Sequence, residues 1–139
     1  VIRTRQQDKE SERLVADLMR QRWQCDVHTT GYLDGWDFVG TKDGRTAFIA
    51  ELKTRDVTST TYETVFLSAH KWLAISYAAA AMNITALFIV RFNDCILYQN
   101  MKDIDASDHR IAGRDDRTGA PNDRELIIDV PVYEMKRLG

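Results

Sequence analysis

"DGWDFVGTKDGRTAFIAELKTR", residues 34–55, sets two β-compatible runs on either side of Asp43-Gly44. That dipeptide marks a hairpin, because a tight turn needs residues that tolerate positive φ. The second run, "TAFIAELKT", places Glu51 and Lys53 inside the most strand-like segment of the chain, while Asp37 stands alone on the first. Strand residues two apart point to the same side of a sheet. Glu51 and Lys53 therefore share one face, and Phe48, Ala50 and Leu52 share the other. A carboxylate beside an ammonium is either an ordinary exposed pair, worth little, or the centre of a metal site.

Whether Asp37 joins them depends on the turn. A two-residue turn at Asp43-Gly44 pairs Asp37 with Ala50 and sends it to the wrong face. A three-residue loop, Lys42-Asp43-Gly44 with a left-handed Gly44, pairs Asp37 with Ile49 and sets Glu51 on the adjacent diagonal, roughly 7–8 Å away between backbones. The expectation is an odd-length turn, or an equivalent bulge, that brings Asp37, Glu51 and Lys53 to one face. The bland alternative is that Asp37 caps the Gly35 turn, with Asp34 as the substitute acid.

Before the hairpin, "DKESERLVADLMRQRW" predicts a helix, with Leu14, Val15, Leu18 and Met19 at helical spacing, and "CDVHTT" predicts a short strand. Gly31 punctuates the chain ahead of the hairpin. After it, "RDVTSTTYET" is polar and aperiodic and reads as a mobile loop. Ser68 is placed to cap a second helix running to about Met82, whose alanines allow close packing on a sheet. "TALFIVRF" is a continuous apolar run, as expected of a buried central strand. Asn93-Asp94 turns it into "CILYQ". Residues 102–124 are charged and irregular, a loop or partly disordered segment, and "ELIIDVPVYEM" closes with a strand ended by Pro131. The order predicts an α/β sandwich around a mixed sheet. The connection from Lys53 to residue 85 is long enough for a parallel βαβ crossover.

Composition bounds the rest. A chain of 139 residues, 44% hydrophobic, fits one globular domain, residues 1–139, with a real core. Its 19 Lys+Arg against 21 Asp+Glu give a net charge of -2, so nucleic-acid binding has to come from a local patch. Cys25 and Cys95 lack zinc spacing and read as buried thiols of a reducing cytoplasm. No signal peptide is seen, and "WLAISYAAAAM" is too short to span a bilayer. His28 and His109 have no partner at metal spacing, and His70 reads as a partly exposed helix residue.

The acid on the second strand followed by Glu51-Leu52-Lys53 on the third resembles the PD-(D/E)xK nuclease superfamily, which includes Holliday junction resolvases, many restriction enzymes and small phage nucleases. The resemblance runs from the "ESERLVADLM" helix through the crossover, about residues 8–92, leaving 93–139 as a C-terminal extension with an extra hairpin or strand. Trp36 stands where the name has proline. The resemblance implies a restriction-endonuclease-like α-β-β-β-α-β core and hydrolysis of DNA phosphodiesters with Mg²⁺, or Mn²⁺ in its place. It needs no organic cofactor or membrane, and fits the cytoplasm, including that of a phage-infected host. Asp37 and Glu51 would bind the ion, with the Leu52 carbonyl as a further ligand, and Lys53 would position the attacking water or steady the transition-state charge.

Resolvase-like members add a glutamate from the first helix, which here is Glu12. Periodicity supports that choice, because Glu12 lies in line with Val15, Met19 and Trp23, whereas Glu10 faces water. Members also carry a glutamine or lysine early in the second helix. Lys71 fits that place, against the helix dipole, and is expected to meet a DNA phosphate, whereas the arginines of the 110–124 loop read as solvated charges, with a backbone-phosphate contact by Arg110, Arg114 and Arg117 as the alternative. A junction resolvase would also be a homodimer. The competing reading is a catalytically inactive module that keeps the fold to bind DNA or protein.

Overall fold

A computed structural model describes residues 5–30, 35–112 and 124–139. Gly31, Asp34, Arg114 and Arg117 lie outside the described residues. Helix α1 (Arg5–Trp23) is followed by β1 (Asp26–Thr29), β2 (Phe38–Lys42), β3 (Arg45–Thr54) and β4 (Thr64–Ser68). Helix α2 (Ala69–Met82) leads into β5 (Thr85–Arg91), β6 (Ile96–Asn100), β7 (His109–Ala112), β8 (Glu125–Pro131) and β9 (Lys136–Arg137). The expected α-β-β-β-α-β order is there, with β4 inserted before the second helix.

Six strands form one sheet in the order β1-β2-β3-β5-β6-β9, and β4-β8-β7 form a second. Within the large sheet β3 and β5 run parallel, with Glu51 opposite Phe88 and Lys53 opposite Val90. This is the predicted crossover, carried by α2.

The two faces of the large sheet hold separate cores. Val15, Ala16 and Met19 of α1 pack with Phe38, Phe48, Ala50, Leu87 and Ile89. Ile75 and Ala79 of α2 pack on the other face with Ile49, Phe88 and Val90, joined by Val65, Leu67, Ile128 and Val130 from the small sheet. Truncating a fully buried plug such as Ile75 to alanine should cost about 2–5 kcal/mol. Leu14, expected on the buried stripe of α1, is exposed, and Ala16 takes its place. The helix turns the smaller residue to the crowded sheet. Among the described residues no helix is long and apolar enough to cross a membrane.

Four sequence expectations change. Residues 55–63 are polar but tethered, because Ser59 N–H and Oγ donate to the Asp94 carboxylate at 2.8 and 2.7 Å and Asn93 N–H donates to the Val57 carbonyl at 3.0 Å. Part of the 102–124 segment is strand β7. The C-terminal strand β8 joins the small sheet rather than the large one, while the two-residue β9 extends the large sheet beside β6. Ser68 does sit at the helix start, but its side chain makes no capping bond.

Candidate functional site

The β2–β3 hairpin sets the geometry. Its turn is the two-residue kind, with Lys42 opposite Arg45 and both Asp43 (φ 52) and Gly44 (φ 75) in the left-handed region, as a type I′ turn requires. The expected three-residue loop is therefore not formed. The parity it was to supply comes from a bulge: Thr41 pairs with Thr46, but Gly40 pairs with Phe48, leaving Ala47 as the extra residue. Beyond it Phe38 faces Ala50, so the register continues with Asp37 opposite Glu51 rather than Ile49. Gly40 is required there because an added Cβ would lie 2.1 Å from the Phe48 ring.

Asp37 is held at the strand end by its backbone N–H on the Ala50 carbonyl (2.9 Å) and by its Oδ2, which accepts from the Leu52 N–H at 2.7 Å. The Leu52 side chain packs into the α1 core, and its backbone borders a cleft of about 870 Å³ that Glu12, Asp37, Glu51, Lys53 and Lys71 also line. Trp36, just before Asp37, packs against the α2 core. Its indole Nε1 is buried without a hydrogen-bond partner among the described residues.

Glu51 and Lys53 share a face but are not each other's partner. The Glu51 side chain, 8% exposed, forms an ion pair with Lys71 Nζ from the first turn of α2. Lys53 Nζ instead lies 3.3 Å from the centroid of the Phe66 ring, on β4. Lys71, expected as a free cation for substrate, is thus engaged at the motif itself.

The electrostatics follow from burial and crowding of like charge. Burial pushes the Glu51 carboxyl up to about 7, with the neighbouring Asp37 charge adding to the rise and Lys71 opposing it. Burial also pushes Lys53 down to about 8, helped by Arg55 and resisted by Glu125. For Lys71 burial works in the same direction, yet the hydrogen bond and charge of Glu51 outweigh it and raise the ammonium above its ordinary value. Glu12 is raised by partial burial and then by Asp37 and Asp8, which places it within the electrostatic reach of Asp37. Among the described residues, however, no three His, Cys, Asp or Glu side chains gather into one ligand cluster. Glu12 therefore borders the Asp37–Glu51 pair without closing a three-acid set.

Sequence reasoning missed Phe66 and Glu125, which reach the cleft from β4 and β8 of the small sheet. The alternation Val65-in, Phe66-out, Leu67-in was the available signal for Phe66; nothing local marked Glu125. Arg110, read as a solvated loop arginine with phosphate contact as the alternative, lies on β7 and is paired with Asp129 at 2.6 Å.

The structure is similar to Hjc, a Holliday junction resolvase from Archaeoglobus fulgidus, at 16% identity and a TM-score of 0.56, covering 90% of this chain and 88% of that one. It is also similar to a nuclease from a fusselovirus, at 14% identity and a TM-score of 0.49, with 99% and 90% covered. The first likeness is one of fold, the restriction-endonuclease-like nuclease fold. No curated protein matches the chain. Residues 3–138 match the family described as "Phage putative PDDEXK endonuclease". With that match spanning almost the whole chain and the acid and Glu-x-Lys positions filled, the protein belongs to the phage PDDEXK endonuclease family of nucleases.

Proposed function

We propose that this nuclease hydrolyses DNA phosphodiester bonds with a divalent metal ion, Mg²⁺ or Mn²⁺, held by Asp37 and Glu51. One observation carries the reading: two carboxylates from adjoining strands meet at the edge of a cleft, and the buried one resists ionisation because of burial and its neighbour. Such a pair calls for a cation. Two carboxylates suit Mg²⁺, which keeps several waters and shares its shell with substrate phosphate rather than filling an all-protein cage. Glu12 would then act through water, and the Leu52 carbonyl would be a further candidate ligand. When bound, the ion supplies an acidified water and positive charge for the phosphate oxygens.

The chain's own groups do the rest. The Leu52 N–H fixes one Asp37 oxygen, leaving the other for the cleft. Lys71 holds Glu51 in place and offsets part of its charge. Lys53 has no carboxylate within ion-pair distance among the described residues, so its ammonium is available to the attacking water or to charge developing on phosphate. With its pKa near 8, it holds or releases a proton at little cost around neutral pH.

The test is cleavage of linear, nicked, single-stranded and four-way-junction DNA with Mg²⁺, Mn²⁺ or chelator. Cutting that needs the ion and disappears in Asp37→Asn supports the reading. DNA binding without cutting on any substrate would favour the inactive module. Selective junction cutting, with a dimer by sedimentation, would place the protein with the resolvases.

A further inference from the structure

The segment joining the small sheet to α2 touches both charged residues of the Glu-x-Lys motif. Lys71 pairs with Glu51, and Phe66, five residues earlier on the same segment, presents its ring to Lys53 at 3.3 Å. Arg55, two residues along β3, lies 5.5 Å from the same ring. Val65 and Leu67 are buried on either side, and pairing of β4 with β8 puts Phe66 opposite Asp129, so the strand register keeps the ring on the face turned away from the core. The negative face of an aromatic ring attracts an ammonium and fixes its direction without neutralising it. A carboxylate in that place would bind the lysine tightly and remove it from the cleft.

We propose that Phe66 is a positioning residue for the nuclease reaction: its ring holds the Lys53 ammonium in the cleft, apart from Glu51, so that it meets the substrate phosphate. The role rests on the DNA-cleavage reading above. It gives the small sheet a function, since β4, paired with β8, carries the ring that directs Lys53.

The experiment compares Phe66→Leu, Phe66→Tyr and Phe66→Trp with wild type in single-turnover cleavage, alongside the proton shifts of the Lys53 side-chain methylenes next to the ammonium. Wild type should show those protons moved upfield by the ring. Phe66→Leu should lose the shift and cut about 5–30-fold more slowly, the range that a partly desolvated cation–ring contact implies. Its DNA affinity should fall less than its cleavage rate, because the replacement changes the direction of the Lys53 ammonium and leaves its charge in the cleft. Phe66→Tyr and Phe66→Trp should keep the shift and restore cutting to within about threefold. Should Phe66→Leu melt much lower, Phe66→Met serves as the second non-aromatic replacement. A wild-type protein that cuts no DNA overturns both readings. If wild type cuts and the non-aromatic variants cut equally fast, or the aromatic ones fail to rescue, the positioning role alone is overturned.

Discussion

The two sheets differ in what they contribute and in how visibly they do it. The six-stranded sheet carries Asp37, Glu51 and Lys53, on a hairpin whose parity is set by one bulge. The three-stranded sheet and the helix it leads into carry the groups that hold them: Phe66 on Lys53, Lys71 on Glu51, and the charge of Glu125 toward both lysines. Two lysines facing one cleft end with opposite shifts, Lys53 down and Lys71 up, because only one has a carboxylate partner. Residue type alone does not decide the role of a charge; its neighbour does.

The largest expected effect is on the acid side. Glu51→Gln should cut DNA at least about 10²–10³-fold more slowly, yet melt at a higher temperature without metal, since an amide there removes a buried, repelled charge. Cleavage rates and calorimetric melts check both. A variant that cuts like wild type would move the chemistry elsewhere, and a large drop in melting temperature would mean that the Lys71 pair outweighs the burial cost.

Next comes pH. Glu51 sits near 7 in the folded chain against an ordinary 4.5, so the folded state keeps a proton that the unfolded chain releases, and stability should fall as pH rises from 4.5 to about 7. Lys53 sits near 8 against 10.5, so the unfolded chain binds the extra proton between those values and stability should rise there. These two groups place a minimum between pH 7 and 8. The Glu51 limb is worth at most about 3 kcal/mol, and the Lys53 limb less, given its partial contact with solvent. Urea melts across the range test this. Mg²⁺ should flatten the acidic limb by competing with the Glu51 proton, so its affinity weakens below pH 7. A stability maximum at pH 7–8 in metal-free protein would contradict the electrostatics described for the cleft.

Gly40→Ala tests the bulge directly. The new methyl meets the Phe48 ring, itself packed edge-on against Trp23 at 5.6 Å, and overpacking of this kind costs about 1–3 kcal/mol. Thermal melts should fall, and cleavage with them if the register slips. The smallest effect belongs to the outer strand of the small sheet: Arg110→Ala breaks a pair with Asp129 in which the arginine is exposed and should leave cleavage unchanged within error and lower melting only slightly. A clear loss of DNA binding would return Arg110 to the substrate path.

Wherever a long periodic pattern met a buried surface, the sequence was legible. The α1 stripe, the apolar run of β5 and the β-compatible residues of β3 led to the right elements, and the Asp43-Gly44 turn to the right hairpin. The bulge at Ala47 was left open as an alternative, because it depends on the Phe48 ring folding over Gly40, a contact no local propensity records. β4 was hidden between a threonine-rich loop and a helix start, although Val65 and Leu67 alternate as a strand should. β7 is exposed along most of its length and so shows no pattern. Asp37, Glu51 and Lys53 could be singled out by type and spacing, but the Glu51–Lys71 pair joins residues brought together only by the crossover.

Trp36 turns this cleft into something that can be watched. Its indole N–H is buried and unbonded among the described residues, one residue from Asp37, whereas Trp72 donates to the Met101 carbonyl at 3.2 Å. Indole emission responds to hydrogen bonding and to nearby charge, so an ion arriving at Asp37 should change the colour or yield of Trp36 while Trp23 and Trp72 supply the background. With Trp36→Phe as the control that keeps only the Trp23 and Trp72 emission, the Trp36 signal becomes an optical test of whether a metal ion binds, readable in a stopped-flow cell without labelled DNA.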